Sequence, residues 1–370
     1  MSFFDEFERS YTSQNGHDIP QMISLLQEAR ALERPVVVHV LTQKGKGYAL
    51  SEQNPEKFHG IAPFSPDTGA TASSGSVSCS EVFGQTVMQL AEEDERIVAI
   101  TAAMRDGTGL RPFFERFPDR AFDVGIAEEH ALTMAAGMAA EGLRPVAAIY
   151  SSFLQRAVDQ LCHDICLQKL PVVIGVDRAG LVGQDGETHQ GIYDPALLCA
   201  IPNLSVYEPA TLAELRAMVR LAVERQEPAA IRYCRGTLPE GDGEEPVVYG
   251  RWAPLIPPTD VVIIAAGSLV PMARRVAERI GCGLVEARFL KPLDYDLLDR
   301  LREQRCKLIV AEENVAALGL YVAAYCPELK VRLLCLPDGS MPHASVARQR
   351  TLGGIDEAAM ERAVQQMRAL

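Results

Sequence analysis

Val146-Ala-Ala-Ile-Tyr150 is an unbroken apolar run of strand length, and Val172-Val-Ile-Gly-Val176 is another, with a helical pattern over about Leu154 to Gln168 between them. Strands of this kind separated by a helix of this length indicate a mainly parallel sheet covered on both faces. The same alternation extends upstream. A helix is expected over Ser80 to Glu92, a strand at Ile97-Val-Ala-Ile-Thr101, and a helix over about Ala131 to Glu141. It resumes downstream with strands at Val261-Val-Ile-Ile-Ala265, Leu308-Ile-Val-Ala311 and Val331-Arg-Leu-Leu-Cys335 and a helix over Pro271 to Ile280. The fold class is therefore α/β, with two doubly wound, mainly parallel-sheet domains.

The segment before these domains reads differently. Ile19 to Leu32 has apolar residues at helical spacing, and Pro35-Val-Val-Val-His-Val-Leu41 reads as a buried strand, which together are too little for a domain. Gln43 to Gly75 is rich in Gly, Ser, Pro and Lys, with no sustained period, and suits a linker or functional loop. The expected organisation is a remnant and linker over 1–75, one domain over 76–240, an acidic linker over 241–258 and a second domain over 259–370.

Composition narrows the function classes. The 370 residues are 48% apolar and 23% charged, as in globular proteins, and the net charge of −13 disfavours a nucleic-acid or anionic-membrane surface. Any phosphate must be met by a local basic pocket. Nine cysteines with no C-x-x-C pair suit a reducing cytoplasm, and no apolar stretch reaches the roughly 20 residues of a membrane span. The Met1-Ser-Phe-Phe-Asp-Glu start is acidic where a signal peptide is basic.

The chemistry concentrates in three places. Phe122-Asp-Val-Gly-Ile-Ala-Glu-Glu-His130 is a strand-like run ending in two carboxylates and an imidazole, which puts Glu128 where open α/β sheets carry their ligands. Taken alone, such an acid also suits a helix N-terminus. Tyr150-Ser-Ser-Phe-Leu-Gln-Arg156 and Asp177-Arg-Ala-Gly-Leu-Val-Gly-Gln-Asp-Gly-Glu-Thr-His-Gln-Gly191 combine arginines, carboxylates and a histidine with glycines. That composition suits an anion and polar-ligand site. Guanidinium binds phosphate in bidentate fashion and does not titrate away. Cys162-His-Asp-Ile-Cys166 has no second ligand pair for a tetrahedral zinc, and Gly241-Asp-Gly243 sits in the acidic linker and reads as a turn.

These segments resemble the 1-deoxy-D-xylulose-5-phosphate synthase family of the transketolase superfamily, through Ala127-Glu-Glu-His-Ala131, the two runs just quoted, Lys44-Gly-Lys-Gly-Tyr48, Lys57-Phe-His59, Arg288-Phe-Leu-Lys-Pro-Leu293 and Glu312-Glu-Asn314. The resemblance implies a transketolase pyrimidine-binding domain followed by a transketolase C-terminal domain. It implies a transferase that uses thiamine diphosphate to condense pyruvate with glyceraldehyde 3-phosphate, losing carbon dioxide, for isoprenoid precursors.

By the same resemblance, Glu128 bonds the aminopyrimidine of the cofactor, with Phe153, Tyr150 and Ile126 beside it. His189, His59 and Asp185 act on the substrates, and Arg156, Arg178 and Arg235 take the substrate phosphate. Glu129 stands where the family has Gln. The family's N-terminal domain, which holds the diphosphate and Mg2+, is nearly all missing, so no metal ligand is expected here. A separate subunit is expected to carry that site, in a heterotetramer, or the chain forms a homodimer. Other readings are a split transketolase, a 2-oxoacid dehydrogenase β-type subunit and a non-catalytic regulatory paralogue.

Overall fold

The computed structural model describes residues 11–55, 58, 61, 63–71, 75–241 and 246–370. It divides into two compact units, Met1–Ser76 and Val77–Leu370. In the first, strands β1 (Tyr11–Asn15) and β2 (Val37–Leu41) pair in parallel around the helix Ile19–Ala31. Asp18 caps that helix by accepting from Gln21 N at 3.0 Å. The expected helix is present, but two features differ from the sequence reading. β1 adds a parallel partner, and β2 is not buried: Val37 and Leu41 are exposed, and the helix buries only Leu25. Two strands and one helix have too few layers to cover both faces of an apolar strand. Within residues 43–75, the rings of Tyr48, Phe58 and Phe64 meet at centroid distances of 5.2 to 5.8 Å.

The second unit is built on two sheets. One contains β3 (Ile97–Thr101), β4 (Ala121–Asp123), β5 (Arg144–Tyr150), β6 (Val173–Ala179), β7 (Ser205–Tyr207) and β8 (Ala229–Cys234). Their spatial order is β7-β8-β6-β5-β3-β4, every pair parallel. All five residues of β3 are buried, which is why its sequence is a continuous apolar run. The other sheet contains β9 (Ala253–Ile256), β10 (Val261–Ala265) and β11 (Gly283–Glu286). β13 (Lys307–Ala311) and β14 (Val331–Leu334) complete it in the order β14-β13-β10-β11-β9. Only β9 runs antiparallel to its neighbour, and it lies inside the stretch read as a linker.

A strand that periodicity did not show ties the sheets together. β12 (Phe289–Lys291), from the second half of the chain, adds antiparallel to β7 at the edge of the first sheet. Its entry is secured by Arg288, whose Nε donates to Glu214 Oε1 at 2.8 Å, and by Trp252 Nε1 donating to Phe289 O at 2.8 Å. One apolar cluster runs through both sheets, joining Ala147 and Ile149 to Val262, Ile264 and Leu308. A fully buried Arg232 is neutralised by Asp194 at 2.6 Å and Glu208 at 2.5 Å.

Two helices near the site depart from expectation. The helix expected from about Ala131 begins at Glu128 and ends at Ala140. The helix expected over Leu154 to Gln168 is broken: Ser151–Leu154 is α, Gln155–Ala157 is 3-10, Val158–Gln160 is α and Leu161–Cys166 is π. Among the described residues no helix is long and apolar enough to cross a membrane.

Candidate active site

The strand-like run 122–127 is a strand only as far as Asp123. There the carboxylate stops it: Asp123 Oδ1 accepts from Ala103 N at 2.7 Å and from Gly125 N at 3.0 Å. An aspartate that binds the backbone two residues on forms a turn in place of the ladder. The chain then re-enters helix with Glu128 as its first residue, so Glu128 opens a helix and does not end a strand. Glu128 is 1% exposed. Arg156 Nη1 donates to Oε1 at 3.0 Å, while Oε2 is buried with no partner. A buried carboxyl oxygen without a donor is rare enough to point to an absent polar group.

From Glu128 the side chains form a continuous line. Arg156 lies 5.4 Å from the Phe153 ring centroid, and Phe153 stacks on Tyr150 at 5.5 Å with 23° between the planes. Tyr150, Phe153 and Arg156 are three residues apart, a spacing that keeps them on one face through Ser151–Leu154 and the 3-10 turn Gln155–Ala157. His189 meets the edge of Phe153 at 5.4 Å, and its Nδ1 is 3.0 Å from Thr188 Oγ1. The phenol of Tyr150 accepts from Arg178 Nη2 at 2.9 Å, and the same guanidinium lies 4.5 Å from the Tyr150 ring centroid.

Arg178 takes a left-handed φ of 62° at the end of β6. Its conformation is held by Asp177, whose Oδ1 accepts both Arg178 N at 2.7 Å and Arg178 Nη1 at 2.9 Å. Asp177 is fully buried and its Oδ2 has no partner. Burial pushes its carboxyl up to about 6, against the opposing pull of Arg178. Arg178 Nη1 also donates to Ser80 Oγ at 3.2 Å, and Asp185 Oδ2 is 3.7 Å from Arg178 Nε and 2.8 Å from Arg235 Nε. Arg178, Arg235, Ser80 and Gly236 border an open depression of about 400 Å³.

The structure thus brings Glu128, Arg156, Phe153, Tyr150 and His189 into one contact line that continues through Arg178 to Asp185 and Arg235. The three arginines do not converge on one point. Arg178 and Arg235 share Asp185 and the depression, whereas Arg156 is committed to Glu128. Ile126 is 80% exposed in the turn before Glu128, and Glu129 is exposed. His59 lies outside the described residues, as do Lys57 and the Asp242-Gly243 half of the linker turn. Sequence reasoning missed Ser80 and Asp177 as members of the site. The signal for Ser80 was available in the capping box Ser78-x-x-Glu81, which marks the helix N-terminus that presents it.

Comparisons with known proteins identify the two domains. Residues 75–240 match the transketolase pyrimidine binding domain and residues 250–360 the transketolase C-terminal domain. The chain is 49% identical to 1-deoxy-D-xylulose-5-phosphate synthase of Desulforudis audaxviator strain MP104C, over 92% of the chain and 56% of that protein. With the synthase of Oleidesulfovibrio alaskensis, identity is 45% over 99% of the chain and 61% of that protein. The chain therefore spans a little over half the length of these relatives.

Among solved structures, a split gene transketolase described as an inactive beta4 tetramer superposes with a TM-score of 0.72 at 29% identity, covering 79% of this chain and 98% of that one. Transketolase from Leishmania mexicana superposes with a TM-score of 0.69 at 19% identity, covering 80% of this chain and 46% of that one, a likeness of fold. By its two domains and these relatives, the chain belongs to the 1-deoxy-D-xylulose-5-phosphate synthase family of the transketolase superfamily and corresponds to the C-terminal portion of its members.

Proposed function

We propose that this chain is the C-terminal component of a split thiamine diphosphate-dependent 1-deoxy-D-xylulose-5-phosphate synthase. It would condense pyruvate with glyceraldehyde 3-phosphate, with loss of carbon dioxide, together with a separate chain that supplies the diphosphate and Mg2+ site. The observation that carries this reading is the buried, half-satisfied carboxyl of Glu128, whose free Oε2 suits a donor from a bound heteroaromatic ring. Support for a split arrangement comes from the 56% and 61% coverage of full-length relatives and the 98% coverage of a split gene transketolase chain.

Glu128, Phe153, Tyr150 and Ile126 would hold the pyrimidine half of the cofactor. When bound, thiamine diphosphate supplies the carbon nucleophile and electron sink that decarboxylation and carbon–carbon bond formation require. The protein's share is binding, orientation and proton handling. Arg156 fixes Glu128 by one oxygen and leaves the other to hold or release a proton. Phe153, packed between Tyr150 and Arg156, offers an aromatic face beside that pair.

Arg178 and Arg235 would take the phosphate of the aldehyde substrate in the depression they border, and Asp185 neutralises them in its absence. Arg156 would reach a phosphate only by giving up Glu128. His189 is held by Thr188 at the Phe153 edge, where its other ring nitrogen is left to hydrogen-bond a substrate. His59 is assigned to the substrates by resemblance. The domain limits proposed are 76–240 and 259–370, and the nine free cysteines favour a reducing cytoplasm.

The test is product formation from pyruvate and glyceraldehyde 3-phosphate with thiamine diphosphate and Mg2+, run on the purified chain and on material captured with its native partners. Activity confined to the captured complex is expected. A complex inactive on pyruvate but active on ketose phosphates would replace this reading with a split transketolase, the second reading that the split gene transketolase likeness favours. A complex inactive on both would favour a regulatory paralogue.

A further inference from the structure

The loop carrying Asp185 and His189 is closed at its neck. Gly180 N donates to Gly191 O at 2.7 Å, and Gly191 N donates to Gly180 O at 2.9 Å. Inside the loop, Val182 N donates to Gln190 Oε1 at 3.0 Å. Asp185 N, Gly186 N and His189 N also bond within the loop, whereas two amides near its start bond outside it. Leu181 N donates to Glu313 Oε1 at 3.1 Å, and Gly183 N donates to Gln349 Oε1 at 3.0 Å.

Both acceptors come from the second half of the chain, and both are buried, Glu313 at 5% and Gln349 at 0% exposure. Each is itself braced. Arg350 Nε donates to Glu313 Oε2 at 2.5 Å and Arg350 Nη2 to Ser268 Oγ at 3.1 Å, while Gln349 Nε2 donates to Pro342 O at 2.8 Å. The approach is close: a Cβ on Gly180 would fall 2.8 Å from Glu313 Oε1.

Buried polar side chains are costly unless they satisfy partners that would otherwise be stranded. Here the partners are backbone amides at the start of the loop, and Ser340 Oγ adds a side-chain bond farther along it by donating to Glu187 Oε1 at 2.7 Å. We infer that Glu313 and Gln349 are positioning residues, through which the C-terminal domain sets the backbone of the Asp185–His189 loop and with it the approach of Asp185 to Arg235. The link from loop position to anion binding rests on the reading of the Arg178–Arg235 depression given above. The positioning itself does not.

The experiment uses the full chain and two variants. Gln349→Met keeps the volume and removes both hydrogen bonds. Gln349→Glu, when its buried carboxyl is protonated, restores both. Hydrogen–deuterium exchange at pH 5 is read over residues 181–190 and, as an internal reference, over β5.

In Gln349→Met the loop amides are expected to exchange about tenfold faster, the order set by loss of one buried hydrogen bond, with β5 unchanged. Gln349→Glu is expected to return to within about twofold of the parent. Unchanged loop exchange in Gln349→Met overturns the inference, as does an equal rise in β5, which would mark general loosening. Failure of Gln349→Glu to recover also overturns it.

Titration with inorganic phosphate then separates the two claims. Weaker binding in Gln349→Met supports the coupling to Arg235. A parent chain that binds no phosphate, with the loop exchange as expected, removes the anion reading and leaves the positioning standing.

Discussion

Arg156 Nη1 donates to Oε1 of Glu128 at 3.0 Å across the mouth of a carboxyl whose other oxygen is buried and without a partner. The pair is asymmetric. The Glu128 side chain is 2% exposed and that of Arg156 is 52% exposed, so the arginine can move with solvent while the acid cannot. That asymmetry suits a group that must stay in place and exchange its partner.

Replacing Arg156 by Gln should cost about 1 kcal/mol in urea denaturation, because a half-exposed guanidinium is screened by solvent and its bond to Glu128 is lost. Glu128→Gln should leave stability within about 1 kcal/mol of the parent, since the amide still accepts from Arg156. In the assembled complex the same change should abolish cofactor-dependent turnover. Full turnover would remove Glu128 from the chemistry.

Asp177 makes stability fall with pH. Its carboxyl is raised from the ordinary 3.8 to about 6 by burial, so between those values the folded chain holds a proton that the unfolded chain has released. The stabilisation is complete below pH 3.8 and is lost as pH rises through about 6, a change of about 3 kcal/mol. Subtracting the urea unfolding free energies of Asp177→Asn from those of the parent, from pH 4 to 7, should isolate this slope. A difference that stays flat would show that Arg178 keeps the carboxylate ionised throughout.

Two glycine substitutions should move stability in opposite directions. A Cβ at Gly191 would sit 2.1 Å from Arg178 O, so Gly191→Ala must displace the strand end that orients Arg178 and should cost about 2 kcal/mol. Gly137 lies inside the helix Glu128–Ala140 with open space around it, and Gly137→Ala should stabilise by about 0.5 to 1 kcal/mol. Thermal unfolding of the two variants checks both signs.

The separation of the arginines predicts different responses to phosphate. Arg235→Ala should weaken binding of inorganic phosphate by about tenfold, the worth of a charge-assisted contact of about 1.4 kcal/mol. Arg156→Ala should change it by less than about twofold. Calorimetric titration distinguishes them, and equal losses would mean that all three arginines face one anion.

How far the fold could be read depended on where its information lies. Ile97–Thr101 and Val261–Ala265 were legible as central strands because burial on both faces demands a continuous apolar run. Phe289–Lys291 was not, because a three-residue edge strand has no period, and its partner β7 lies far away in the chain. The start of the Glu128 helix was misplaced because hydrophobicity runs on through Val124 and Ile126, while the break is made by hydrogen bonds to one carboxylate.

The site divides in the same way. Residue type drew attention to Glu128 and to the runs 150–156 and 177–191, while it was the family resemblance that named Tyr150, Phe153, Arg156, Arg178, Asp185, His189 and Arg235 as candidates. Order along the chain carries no distance, however, and could not say that Arg156 belongs to Glu128 while Arg178 and Arg235 belong to Asp185. Nor could it say that Glu313 and Gln349 reach back to a loop 132 and 166 residues earlier. Local pattern determined the buried central strands and most of the helices that cover them. Only the tertiary fold decided which charges meet, because a hydrogen bond depends on separation in space, which the order of residues does not contain.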